Sequence, residues 1–276
     1  MRRVFWFAAL LVFLVVPALA AAAAPGWIVS CAYSHSNNDD PIVFPGLVGA
    51  AHLHEYAGAR TTNAYSTPDS MRAGGTTCAV QGDKAGYWLP ALYKNGVLLH
   101  PQGSGSKNAL FYYREIAGSA QTIPDGLKMI VGDANATSEA SNQYIQQGHI
   151  IFKCGPGSTT NLKRPPTQCD SGLLVVSLRF PNCWDGFRLD SPDHKSHMAY
   201  PVGGRCPSTH PVNIPRIESF WRYNVGTGPI GTITFSSGAY YTVHQDFFNA
   251  WVAADLQKLV DRCMGGNINC GTNPTP

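Results

Sequence analysis

Short runs of β-branched and aromatic residues recur along the chain, and each is bounded by Gly, Pro, Asn or Asp. This pattern is typical of β-strands separated by turns. An Asn-Gly pair at Asn95–Gly96 adds a hairpin signal. The predicted strands are Trp27–Tyr33, Tyr87–Tyr93, Ala109–Ile116, Leu127–Val131, His149–Cys154, Leu173–Phe180, Ile217–Val225, Thr232–Phe235 and Tyr240–His244.

One helix is predicted near the C-terminus, where apolar residues recur at spacings of one, three and four. These residues are Phe247, Phe248, Trp251, Val252, Leu256, Leu259, Val260 and Cys263. Asp246 stands where an N-cap would stand, and Gly265-Gly266 would end the helix. The sequence therefore predicts a mainly β fold: an antiparallel β-sandwich or jelly-roll-like domain with one C-terminal helix.

The N-terminus has the three parts of a secretory signal peptide. Arg2 and Arg3 precede an apolar run from Val4 to Ala18, and small residues continue to Ala24. We predict a cleaved signal over residues 1–24, a single β-rich domain over 25–270 and a flexible tail over 271–276. The expected product is a secreted protein with no membrane span after cleavage.

All eight cysteines lie beyond the predicted signal, which favours up to four disulfides in an oxidising compartment. Sequential pairing is our prediction, although sequence alone does not determine connectivity. Within it, Cys154–Cys169 and Cys263–Cys270 each close a short loop that contains Gly or Pro.

The charge pattern bounds the partners. The formal net charge is +3, of which Arg2 and Arg3 contribute two, and no block of Lys or Arg occurs. Nucleic acid is therefore not an expected partner. The protein is separately expected to be a monomer.

The densest polar cluster runs from Ser34 to Asp40 and resumes at His52-Leu53-His54-Glu55. On a strand, His52 and His54 would project from the same face. Two imidazoles on one face can hold a metal ion. The alternative is a pair of hydrogen-bonded histidines in a polar loop, and the sequence leaves both open.

Two further clusters contain histidine and aspartate. The first includes Asp185, Asp190, Asp193, His194 and His197, and its aspartates also suit ordinary turns. The second is His244-Gln245-Asp246, in which Asp246 is either a helix cap or an acidic site residue. Imidazoles from three clusters would suit zinc or copper, and the cofactor is otherwise unknown. Without a metal, the same groups would serve as general acid and base.

Long motifs across the chain resemble a secreted bacterial and fungal family known as a domain of unknown function, DUF1996. They include Asp39–Gly46, His52-Leu53-His54, Arg72–Cys78, Tyr87–Tyr93, Phe180–Gly186, His194–Pro201 and His244–Trp251. The resemblance implies one extracellular domain. It also implies a polysaccharide or cell-wall partner, because similar fungal proteins can carry carbohydrate-binding modules. It transfers no catalytic mechanism.

Three functions stay open: a hydrolase acting on an extracellular glycan, a non-catalytic glycan-binding protein, and a metal-binding oxidative protein. The candidate catalytic residues are Asp40, His54, Asp185, His194, His197 and His244. The candidate substrate-binding residues are Asp39, Glu55, Asp193 and Asp246, and the candidate metal ligands are His52, His54 and His244.

Overall fold

The computed structural model describes residues 24–102, 108–116 and 120–276. The predicted signal peptide lies outside the described residues, apart from Ala24. The strands are β1 (Gly26–Cys31), β2 (Tyr33–Asn37), β3 (His54–Gly58), β4 (Gly86–Pro90), β5 (Leu92–Lys94), β6 (Val97–Leu99), β7 (Ala109–Arg114), β8 (Lys128–Gly132), β9 (Ile150–Cys154), β10 (Leu173–Arg179), β11 (Cys183–Trp184), β12 (Met198–Ala199), β13 (Val212–Asn213), β14 (Arg216–Asn224), β15 (Ile233–Phe235), β16 (Gly238–Ala239), β17 (His244–Phe248) and β18 (Asn269–Thr272). The predicted mainly β, antiparallel fold is confirmed.

Two large sheets form the sandwich. One has the strand order β18-β1-β7-β14-β10-β9, and the other has the order β2-β3-β4-β17-β8. Pairing in both is antiparallel except between β1 and β18. The sheets meet through aromatic side chains, since the rings of Tyr87 on β4 and Phe111 on β7 stack with centroids 3.7 Å apart. Smaller sheets contain β16-β15-β5-β6 and β12-β11-β13.

The helices are α1 (Pro68–Gly74), α2 (Gln143–Gln146) and α3 (Ala253–Leu259), and α3 continues as a π-helical segment over Val260–Gly265. The C-terminal helix is confirmed, but it begins later than predicted. Phe247 and Phe248 lie on β17, and Val252 occupies the position before the first helical residue. Asp246 is therefore not a helix cap. No helix in the described ranges is long and apolar enough to cross a bilayer.

Other local predictions also need correction. The predicted strand Tyr240–His244 is instead a 3₁₀ turn over Tyr240–Thr242, followed by β17. Part of the polar cluster Ser34–Asp40, for which no strand was predicted, forms β2. The helix α1 was not predicted either, and it begins with a capping box between Thr67 and Ser70. At the C-terminus, β18 continues to Thr272, inside the segment expected to be a tail.

All eight cysteines are paired in the predicted sequential order: Cys31–Cys78, Cys154–Cys169, Cys183–Cys206 and Cys263–Cys270. Each bond typically contributes about 2–4 kcal/mol by restricting the unfolded chain. Four disulfides are compatible with an extracellular protein.

A polar network lies inside the core beside these sheets. The Tyr87 hydroxyl donates to the buried Asp83 carboxylate at 2.9 Å and contacts the Tyr113 hydroxyl, to which the Trp251 indole donates at 2.9 Å. Burial raises the pKa of Asp83 to about 8, because no cation compensates for the lost hydration strongly enough.

Asp83→Asn should flatten the dependence of stability on pH. The pKa of Asp83 is higher in the folded than in the unfolded state. The stability that protonated Asp83 contributes is therefore fully present below the unfolded pKa and is lost as pH rises towards about 8. The slope from one such proton is at most about 1.4 kcal/mol per pH unit. Urea unfolding between pH 5 and pH 8 measures it, with the exposed Asp170→Asn as control. An unchanged slope in Asp83→Asn would contradict this assignment.

A candidate trihistidine metal centre

Three imidazoles meet at one edge of the five-stranded sheet. His54 begins β3 and His244 begins β17, and β4 lies between these strands. On one side of β4, His54 is opposite Pro90. On the other side, Asp246 is opposite Trp88, so His244, two residues before Asp246 on an antiparallel strand, is level with Pro90 as well. This register places His54 and His244 level with one another across the sheet. His52 precedes β3 and reaches both rings, with centroids 4.3 Å from His54 and 4.9 Å from His244.

The ring nitrogens of the three histidines converge. His52 Nε2 lies 3.2 Å from His244 Nε2. One nitrogen from each of His52, His54 and His244 lies within 4.8 Å of the other two. Side chains that are distant in sequence thus form one compact donor set.

Backbone carbonyls fix the orientation of two of these rings. His54 Nδ1 donates to the carbonyl oxygen of Asp39 at 3.1 Å, and His244 Nδ1 donates to that of Thr242 at 3.0 Å. In a neutral imidazole this leaves the Nε2 lone pair free to bind. The buried Nε2 of His54 has no hydrogen-bond partner in the described part of the chain. Such outer contacts are typical of metal-ligating histidines.

Burial keeps these imidazoles uncharged. It lowers the pKa of His52, lowers that of His244 to about 3, and lowers that of His54 well below its usual value. Repulsion between neighbouring imidazolium forms adds to the shift for His54 and His244. Neutral imidazoles at neutral pH are ready to act as ligands without first losing a proton.

Two carboxylates flank His54. Oxygens of Asp40 and Asp246 lie within 4.8 Å of each other and of a His54 ring nitrogen. Neither carboxylate oxygen of the buried Asp246 has a hydrogen-bond partner among the described residues. Burial, followed by the charge of Asp40, raises the pKa of Asp246 well above its usual value. Burial also raises the pKa of Asp40, although one oxygen accepts from the backbone N–H groups of Ile42 and Val43.

A surface cavity of about 280 Å³ lies beside these groups. His52, His244, Asp40 and Asp246 are among its lining residues, whereas the fully buried His54 is not. The remaining lining residues are Val43, Phe44, Ala51, Ile130, Gly132, Asp133, Ala134, Asn135, Asp193, His194 and Lys195. A ligand in this cavity would contact both the histidine cluster and the carboxylates.

Residues 40–251 match the family described as a domain of unknown function, DUF1996. This chain belongs to the DUF1996 family. The resemblance predicted from the motifs is confirmed, and the matched range contains all three histidines and both carboxylates. No curated protein and no solved structure gives a significant match to the chain.

Beside the centre of this DUF1996 protein, the loop after β11 brings His194 and Asp193 to the cavity. His194 has a φ of 56°, which is uncommon for a residue with a side chain, and its Nδ1 lies 2.9 Å from Asp190 Oδ1. Asp193 accepts hydrogen bonds from the N–H groups of Lys195 and Ser196. Although burial opposes it, these bonds lower the pKa of Asp193.

His197 and Asp185 do not line the cavity. His197 is buried, with Nδ1 2.8 Å from the Ser191 hydroxyl and Nε2 2.6 Å from the Lys128 carbonyl oxygen. Asp185 forms an ion pair with Arg188 at 2.6 Å and accepts from nearby backbone N–H groups. Both side chains therefore hold the loop that carries His194.

Glu55 and Asp39 are also outside the cavity lining. Glu55 follows His54 on β3, so it projects from the opposite face, where it contacts Ser36 at 2.9 Å and His100 at 3.1 Å. Asp39 accepts through its carboxylate from backbone N–H groups of Gly49 and Ala64. Its carbonyl oxygen orients His54, so its contact with the centre is through the backbone.

The sequence reasoning missed three polar cavity residues, Asp133, Asn135 and Lys195. Lys195 donates to the carbonyl oxygen of Gly132 at 2.7 Å, and Asp133 follows β8 directly. Two features of the sequence could have identified two of them. Lys195 stands between His194 and His197, and Asp133 is a polar residue just after a predicted strand.

Proposed function

We propose that this protein is a secreted, metal-dependent hydrolase whose ligands are His52, His54 and His244. The observation that carries the proposal is the convergence of three neutral imidazoles, two with their Nε2 lone pairs fixed by backbone carbonyls. Four disulfides support the extracellular location.

The spacing of the donors fits a small divalent ion. Zinc–nitrogen bonds of about 2.0–2.1 Å in a tetrahedral site separate ligand nitrogens by about 3.3 Å. The His52 and His244 nitrogens lie 3.2 Å apart. Both zinc and copper accept imidazole ligands.

The chain also supplies groups for acid–base chemistry. A metal ion held by His52, His54 and His244 would lower the pKa of a bound water and so supply a nucleophile near neutral pH. Burial and Asp40 raise the pKa of Asp246, and neither of its carboxylate oxygens has a hydrogen-bond partner among the described residues. A cation bound beside it would lower that pKa, and Asp246 would then be placed to take a proton from the attacking water. His194, oriented by Asp190, is the candidate acid that returns a proton to the leaving oxygen.

The proposed substrate class is an extracellular glycan. The cavity has apolar side chains, Val43 and Phe44, and polar side chains, Asp133, Asn135 and Lys195. A sugar ring offers the matching surfaces, with apolar C–H faces and hydroxyl groups at its edge. Hydrolysis would add water across a glycosidic bond, giving one product a new hydroxyl at the broken anomeric carbon and the other the proton on the leaving oxygen.

A second candidate is metal-free hydrolysis by Asp40 and Asp246. Their oxygens lie within 4.8 Å of one another, and both pKa values are raised. Retaining glycosidases place two carboxyl groups about 5–5.5 Å apart. This candidate differs from the first in one testable respect, because it requires no metal.

Activity on a glycan panel, followed as new reducing ends, tests both candidates. We expect hydrolysis that disappears after EDTA treatment and dialysis and returns when zinc or copper is added. His210→Ala serves as a control, because His210 is only partly buried and does not line the cavity. Hydrolysis that persists without metal would replace the first candidate with the carboxylate pair. Saturable binding without product would instead indicate a glycan-binding protein.

A further inference from the structure

The outer face of the six-stranded sheet carries a cluster of positive side chains. Along β14, Arg216, Glu218, Phe220 and Arg222 alternate with buried residues and project from one face. Arg114 on β7 is opposite Arg216. On the other side of β14, Arg179 on β10 is opposite Glu218. Val175 on β10 lies between Arg222 on β14 and Lys153 on β9. These seven residues, with Tyr112, define the basic face.

The basic face has few acids to balance its cations. It contains five positive side chains and one negative one, an excess of four on one side of a chain whose total formal charge is +3. Glu218 pairs with Arg179 at 3.0 Å and with Arg216 at 3.7 Å. Within the described ranges, Arg114, Arg222 and Lys153 form no ion pair, and the buried Nε of Arg222 has no hydrogen-bond partner.

Aromatic rings lie between these cations. Tyr112 and Phe220 contact each other with ring centroids 4.8 Å apart. The Arg114 guanidinium lies 5.1 Å from the Tyr112 centroid, and the Lys153 ammonium lies 5.9 Å from that of Phe220. The sheet thus presents half-buried rings and cations side by side.

The face continues into an open cavity of about 510 Å³ that Arg222 lines. Its other lining residues are neutral: Gln102, Pro156, Ser171, Gly172, Leu173, Asn224, Gly226 and Thr227. Amide and hydroxyl groups around one guanidinium can hydrogen-bond sugar hydroxyls while the guanidinium binds a carboxylate.

We infer that the basic face and the cavity beside Arg222 bind an acidic polysaccharide, a chain of uronic-acid units. The cations are distributed over four adjacent strands, β7, β14, β10 and β9, and this spacing matches a polymer with repeated carboxylates. The rings match the apolar faces of its sugars, and the neutral polar groups of the cavity match its hydroxyls. This surface shares no lining residue with the trihistidine cavity, so the inference does not rest on the proposed hydrolysis.

The test measures binding of oligogalacturonate to the metal-stripped full chain by calorimetry, with neutral dextran oligomers for comparison. Oligogalacturonate should bind, more weakly as salt increases, and dextran should not. Arg222→Gln/Lys153→Gln should weaken binding by about tenfold or more, because charge-assisted hydrogen bonds are lost. The control Lys258→Gln/Arg262→Gln removes the same charge from the exposed side of the C-terminal helix and should bind like the original chain.

Equal binding by the two double variants would overturn the inference, as would equal binding of dextran. Duplex DNA or anionic vesicles that bind as tightly as oligogalacturonate at the same salt would show a general polyanion surface and would also overturn it. If Arg222→Gln/Lys153→Gln does not fold, Arg222→Lys keeps the charge but removes the guanidinium geometry, and it should still weaken binding.

Discussion

His54→Gln should lose metal binding and hydrolytic activity together while the fold is retained. Its imidazole is buried, and its Nε2 is directed into the donor set with no other partner in the described chain. Glutamine is of similar size, and its amide can still donate to the Asp39 carbonyl oxygen. Metal affinity should fall by at least about 10²-fold, the upper range seen when only an outer-sphere partner is removed.

Metal affinity by competition with a chelating dye and activity on the glycan panel measure this effect, with His210→Ala as the control. A normal far-ultraviolet circular dichroism spectrum establishes that the variant is folded. A folded His54→Gln protein with unchanged metal affinity would remove His54 from the ligand set.

Asp246→Asn should stabilise the metal-free protein and reduce hydrolysis. Both carboxylate oxygens of Asp246 are buried without hydrogen-bond partners in the described ranges. This arrangement lowers the free energy of unfolding, and such costs are typically retained where function requires the group. Asparagine has nearly the same shape and is always neutral, so folding no longer requires protonation of a carboxylate that is ionised in the unfolded chain at neutral pH. We expect an increase of about 1–3 kcal/mol in the free energy of unfolding, and a loss of about 10²–10⁴-fold in turnover if Asp246 is the base.

The matched control is Asp185→Asn, because the Asp185 carboxylate is fully engaged with Arg188 and backbone N–H groups. This change should destabilise the protein, since it removes a hydrogen-bonded ion pair. Urea unfolding of the metal-free proteins measures both. Destabilisation by Asp246→Asn equal to that by Asp185→Asn would contradict the view that Asp246 is held there for function.

Local sequence patterns predicted most of the sheets because strand periodicity and turn residues act over a few positions. The C-terminal helix shows where this reasoning fails. Phe247, Phe248 and Trp251 have helical spacing, yet the first two pair with β4 and β8. Tertiary pairing therefore decided the structure of a segment whose local pattern also fits a helix.

The candidate site was predictable only in part. The His-x-His spacing identified His52 and His54 from sequence, but the contact with His244 depends on the pairing of β3 and β17 with β4. The basic face shows the same limit. Lys153 and Arg222 are far apart in the chain, so no basic block is visible until the strands pair.

Metal content by elemental analysis tests the central claim most directly. The chain is purified from an oxidising compartment, treated with EDTA, dialysed against zinc or copper, and compared with His52→Ala/His54→Ala prepared in the same way. We predict about one ion per original chain and none held by the variant. No bound metal in the original chain, or equal metal in both proteins, would contradict a metal centre formed by His52, His54 and His244.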